Sequence, residues 1–117
     1  MMNGSIREYV VFSGKTLAGS ANVTSGALEM EGITGELGLQ VTTSGTSSVV
    51  KVEVLVANRN VAAQFVVPDG VSDVVTAHAE GTGFYVVDIP VAKYVKFKVT
   101  ETAGNNVDSL TMILAAQ

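Results

Sequence analysis

Val49-Val50-Lys51-Val52-Glu53-Val54-Leu55-Val56-Ala57 runs on a period of two. Val50, Val52, Val54 and Val56 alternate with Lys51, Glu53, Leu55 and Ala57. Successive side chains of a β-strand point to opposite faces, so the valines line one face and the charges fall on the other. β-branched side chains are stiff and fit a pleated surface, which favours strand over helix. The segment reads as a strand with one dry face.

The same period extends in both directions. Leu37, Leu39 and Val41 alternate with Gly38, Gln40 and Thr42, and Val95, Phe97 and Val99 alternate with Tyr94, Lys96, Lys98 and Thr100. Turn residues punctuate these runs: Ser13-Gly14, Ser25-Gly26, Gly32 to Gly35, Ser44-Gly45, Asp69-Gly70, Gly81 to Gly83 and Gly104-Asn105-Asn106. Such residues tolerate the backbone angles that tight turns need. The pattern predicts strands over Ile6–Phe12, Leu17–Thr24, Ala27–Glu31, Glu36–Thr43, Val49–Ala57, Phe84–Ile89, Tyr94–Thr102 and Ser109–Ala115. Val61 to Ala79 gives the weakest signal, one or two more strands or a crossing loop. No sustained 3.6-residue period occurs, so no helix longer than two turns is expected. Short strands between Gly-rich turns mean an all-β domain, and we read an antiparallel β-sandwich of jelly-roll type with about eight strands. At 117 residues the chain is one domain, 1–117.

Three strands lack a wet face. Tyr9 and Val11 alternate with Val10 and Phe12, Leu110, Met112 and Leu114 flank Ile113, and Phe84-Tyr85-Val86-Val87 has no polar position. A two-layer sandwich leaves one face of each sheet in water, so these strands call for a second cover. The composition agrees: 47% of residues are hydrophobic and only 15% charged, against about a quarter in typical domains. Interface candidates are therefore Tyr9, Val11, Tyr85, Val87, Tyr94 and Ile113, with self-association into a homo-oligomer the expected outcome.

Other functions are disfavoured. A net charge of −4 and seven scattered basic residues give no footprint for nucleic acid. No apolar run reaches the ~18 residues of a membrane helix, so no membrane partner is expected. Met1-Met2-Asn3-Gly4-Ser5 opens no signal peptide, which predicts a product that is cytoplasmic when made. There are no cysteines, so disulfides and thiolate metal sites are excluded.

The remaining motifs read as structure. Ser13-Gly14-Lys15-Thr16 imitates the end of a phosphate-binding loop, but Tyr9 stands where its first glycine belongs and Leu17-Ala18-Gly19-Ser20 is poor helix material. It reads as a turn. His78 is the single histidine, with no ligand set at metal spacing, and reads as a surface or edge residue. Glu29 and Glu31 share a strand face rather than opposing each other across a cleft. Asp69-Gly70 with Asp73 is the best oxygen-only calcium candidate, and a plain turn is the better reading. Asn3-Gly4-Ser5 and Asn22-Val23-Thr24 match the glycosylation sequon but lack a secretory signal. No catalytic residue, metal or cofactor is predicted.

The last third carries a resemblance. Pro90-Val91-Ala92-Lys93-Tyr94-Val95-Lys96-Phe97-Lys98-Val99-Thr100 follows Gly81-Thr82-Gly83-Phe84-Tyr85-Val86-Val87-Asp88-Ile89, and the chain closes on Leu114-Ala115-Ala116-Gln117. This ending resembles small jelly-roll structural proteins of tailed-bacteriophage virions, which form head decoration, neck and tail-fibre modules. In them P-x-A-x-Y-x-x-F-x-V-T is the penultimate strand and the last ends near L-A-x-Q. Gly35 to Val41 and Val49 to Val56 fit the same pattern. The resemblance implies a non-enzymatic virion protein whose partners are its own copies or other virion proteins. The strand A-x-Y-V-K-x-K-V is also similar to one in galactose-binding-like modules. That implies the alternative, carbohydrate binding in host recognition, with Tyr85 and Tyr94 as its platform.

Overall fold

The computed structural model describes residues 6–33 and 36–117. Nine strands follow in order: β1 Arg7–Leu17, β2 Asn22–Thr24, β3 Leu28–Glu29, β4 Leu37–Gly45, β5 Val50–Ala57, β6 Val75–His78, β7 Gly81–Val87, β8 Tyr94–Glu101 and β9 Val107–Ala116. They form two antiparallel sheets. The front sheet has the order β1-β9-β4-β7, and the back sheet β2-β8-β5-β6 with β3 also paired to β8. The pairs β5–β6, β4–β7, β2–β8 and β1–β9 nest one outside the next, like a long hairpin folded twice on itself. This is the jelly-roll sandwich.

The inner faces are those that the alternation marks. Leu39, Val41, Leu110, Met112 and Leu114 from the front sheet meet Val50, Val52, Val54, Val95, Phe97 and Val99 from the back, all at most 1% exposed. The alternating runs thus bury one side of each sheet, and that burial is the main favourable term in folding.

Several predicted boundaries move. Ser13-Gly14 is not a turn but lies inside β1, whose register with β9 shifts between Val10 and Phe12, Phe12 and Lys15, and Lys15 and Leu17. Gly14 has φ +62° and donates its N–H to Thr111 Oγ1 at 3.1 Å, so the glycine serves a bulged strand. Leu17–Thr24 is not one strand. The chain leaves the front sheet at Leu17, turns at Gly19-Ser20 and enters the back sheet at Asn22. Gly19 is required there, because a Cβ would sit 2.5 Å from the Gly104 carbonyl carbon. Gly81 to Gly83 likewise belong to a strand, since they pair with Val41 to Thr43 of β4. Within the uncertain segment lie one 3₁₀ turn, Ala62–Gln64, a single bridge between Val66 and Val56, and β6. The 32–35 turn falls partly, and the first five residues with their sequon wholly, outside the described residues.

Candidate interaction surface

The register of the front sheet determines which side chains face outward. Leu37, Leu39 and Val41 of β4 point into the core, and their partners on β7 are Val87, Tyr85 and Gly83. Directly paired residues share a face, so Phe84 and Val86 point out, at 68% and 75% exposed. On the other side of β4, Gln40 pairs with Ile113, which in turn pairs with Val10 of β1, 57% exposed. An apolar patch therefore runs across the outer face from Val10 through Ile113, Ala115 and Gly38 to Phe84 and Val86, with Gln40 between Ile113 and Phe84 in one row and Glu8 at the β1 end of the other. Gly38 is part of its construction. A Cβ there would stand 2.7 Å from Phe84 Cε1, so the missing side chain lets the ring settle over the sheet. One row further on, the face turns polar with Thr111, Thr42 and Thr82, and the last two share a hydrogen bond of 3.2 Å.

The back sheet finishes its outer face for water. Lys51, Glu53 and Leu55 lie beside Thr100, Lys98 and Lys96. Lys51 Nζ is 3.8 Å from Glu53 Oε1, and Lys96 Nζ stands 4.2 Å over the Phe65 ring. The Phe65 ring is thus covered by a cation.

The sequence-predicted interface residues are spread across both sheets. Ile113 lies half-buried within the patch. Val87 is core, 4% exposed, and Tyr85 is half-buried on the inner face; the outward pair of β7 is Phe84 and Val86. Tyr9 pairs with Leu114 on the inner side and donates its hydroxyl to the Glu29 carbonyl at 3.1 Å. Val11 occupies the first bulge of β1 and packs against the core. Tyr94 belongs to β8, paired with Ala57 and Glu29, with Lys93 Nζ 5.9 Å from its ring. Tyr85 and Tyr94 lie on different sheets and do not form one platform.

His78 lies on the edge strand β6 but is buried rather than on the surface. It is 7% exposed, with Nδ1 2.7 Å from the Tyr85 hydroxyl and Nε2 3.0 Å from the Gly81 carbonyl. A carbonyl only accepts, so Nε2–H donates to it, and in the neutral imidazole Nδ1 then accepts from the Tyr85 hydroxyl. The bond ties β6 of the back sheet to β7 of the front sheet and closes one side of the sandwich.

Glu101 is a buried carboxylate with no catalytic motif around it. It is 1% exposed. Its Oε1 accepts from the backbone N–H of Ser20, Gly104 and Asn105 at 2.9, 2.7 and 3.0 Å, and Oε2 from Val49 and Ala103 at 3.0 and 2.9 Å. Burial by itself raises a carboxyl pKa. The bonds from Ser20, Val49, Ala103 and Gly104 outweigh it and lower this one from 4.5 to about 2. One carboxylate thereby fixes the β1–β2, β4–β5 and β8–β9 loops. A sequence signal exists: Glu101 continues the inward phase of Val95, Phe97 and Val99 and precedes Thr102-Ala103-Gly104-Asn105-Asn106.

The other residues singled out in the sequence take the following places. Lys15 and Thr16 stand exposed in β1 with no phosphate-binding helix after them. Glu29 and Glu31 use their carbonyls to hold Tyr9 and Arg7. Asp69-Gly70 is a turn, and among the described residues no group of three His, Asp or Glu is placed to hold a metal. Asn22 opens β2, paired with Thr100.

No family model and no curated protein matches the chain. Among solved structures, it is similar to the SPBc2 prophage-derived protein YomS, with a TM-score of 0.52 and 14% identity over 100% of this chain and 99% of that one. A weaker likeness, TM-score 0.45 and 15% identity, covers 96% of this chain but 32% of a chain in the structure of infectious bursal disease virus, Gx strain. At full length on both sides, the jelly roll of this chain is the fold of a prophage-derived protein.

Proposed function

We propose that the chain is a non-enzymatic structural protein of a bacteriophage virion, docking onto a neighbouring copy or onto the head or tail surface. The observation that carries this is the apolar patch of Val10, Ile113, Phe84 and Val86 on the outer face of the front sheet. Contiguous exposed apolar patches are scarce on soluble monomers and mark contact surfaces. A fold shared along its whole length with a prophage-derived protein supports the virion setting. The direct test is mass spectrometry of phage particles purified from the strain that encodes the gene. The chain is expected among the stoichiometric particle proteins, and particles that form without it would overturn the reading.

A further inference from the structure

We infer that β7 is a pairing edge, through which two copies of the chain join their front sheets into one eight-stranded sheet. This deepens the assembly reading and rests on it only for the premise that the protein assembles.

An open sheet ends in strands whose outer N–H and C=O groups have no ladder, and proteins protect such edges with bulges, charges or brevity. Three of the four edges here are protected. β1 changes register three times and carries Arg7, Glu8 and Lys15. β2 and β3 span three and two residues. β6 spans four residues and shifts register against β5. β7 has none of these devices. Its seven residues pair with β4 in unbroken register from Gly81 to Val87, with neither a charge nor a proline. Among the described residues no backbone hydrogen bond ties β7 to a segment other than β4. At its far end the Gly70–Val74 loop stands beside Val86 and Asp88 across an open groove of about 280 Å³, and it makes no backbone hydrogen bond to them.

The chemistry of the edge favours a second copy. Two copies related by a two-fold axis pair antiparallel, and facing residues must share a face. Centred on Tyr85, the pairing sets Phe84 opposite the partner's Val86, Gly83 opposite the partner's Val87 and Thr82 opposite the partner's Asp88. Aromatic against β-branched is a favourable cross-strand pair, the glycine leaves room for the valine, and the hydroxyl meets a carboxylate. Centred on Phe84, the pairing would instead oppose Glu80 and the partner's Asp88, two like charges. The uncharged edge therefore selects both its partner and its register. The resulting sheet joins two apolar patches into one of double width.

The chain has no cysteine, so single-cysteine variants report cleanly. Phe84→Cys and Val86→Cys, mixed and mildly oxidised, should give the mixed disulfide dimer in excess over either homodimer. In sedimentation equilibrium the native chain should dimerise, and Val86→Lys should weaken the dimer by roughly tenfold or more, as an edge lysine does. Val10→Lys, on the same face but at the opposite edge, should leave it intact. A native chain that is monomeric at every concentration overturns the inference, as does a dominant Phe84→Cys homodimer. A dimer lost with Val10→Lys but kept with Val86→Lys also overturns edge pairing, while leaving assembly through the face standing.

Discussion

Glu101 and the outer face of the front sheet break the inside–outside rule in opposite ways. One places a carboxylate in the interior, the other places Val10, Phe84 and Val86 in water. At Glu101 the anomaly is fully compensated within the chain, by five backbone N–H groups drawn from three loops. On the front sheet no segment among the described residues covers Phe84 or Val86, 68% and 75% exposed. On the back-sheet side Lys96 stands over the Phe65 ring and Lys93 near the Tyr94 ring. A violation satisfied internally serves the fold. One left open on a sheet face marks where another molecule belongs.

Breaking the compensated anomaly should have the largest effect. Glu101→Gln removes the charge and turns an amide NH₂ toward N–H donors that need an acceptor. The expected loss is about 3 kcal/mol or more of unfolding free energy, read from urea denaturation at neutral pH. A loss below about 1 kcal/mol would show that the loops hold without the carboxylate.

Acid should reach the same site without mutation. The folded pKa lies below the unfolded one, so the contribution is present above about 4.5 and disappears as pH falls toward about 2. Denaturation midpoints measured between pH 6 and pH 2 should fall across that window in the native chain. In Glu101→Gln that component should be absent, and equal slopes in both proteins would assign the acid sensitivity to other carboxylates.

A smaller effect is expected where the two sheets are tied. Tyr85→Phe deletes the hydroxyl bonded to His78 Nδ1 and leaves that buried ring nitrogen without this partner. The cost should be about 1–2 kcal/mol, and the histidine's ring-nitrogen NMR shifts should move with it. Unchanged shifts would mean that the hydroxyl does not hold the ring.

The sequence shows the alternating strands plainly because their two faces differ. Val50, Val52 and Val54 have Lys51 and Glu53 beside them, so inside and outside are labelled locally. Phe84-Tyr85-Val86-Val87 has no such label. Its phase is assigned by pairing with β4, a contact more than forty residues away in sequence, which is why Tyr85 and Val87 read as outward when they point in. Ser13-Gly14 suffers the same ambiguity, since glycine suits a turn and a bulge equally and only the partner strand β9 chooses. Glu101 was legible by phase, because it falls on the inward side of β8.

The smallest effect on stability, and the sharpest on the comparison, is expected from Val10→Lys. Val10 is more than half exposed and pairs with Ile113 on the outer face, so the folded chain loses little when its methyl groups are replaced by a solvated cation. Substitutions at such positions usually stay within about 0.5 kcal/mol. A partner docked on the patch would have to bury that charge or push it aside, which is strongly unfavourable. Competition between native and Val10→Lys protein for incorporation into assembling particles separates the two cases. The variant should fold and melt like the native chain yet be excluded. Equal incorporation would mean that the patch is not the docking face. A large loss of stability would mean that Val10 belongs to the core, and the contrast between a satisfied interior and an open face would have to be redrawn.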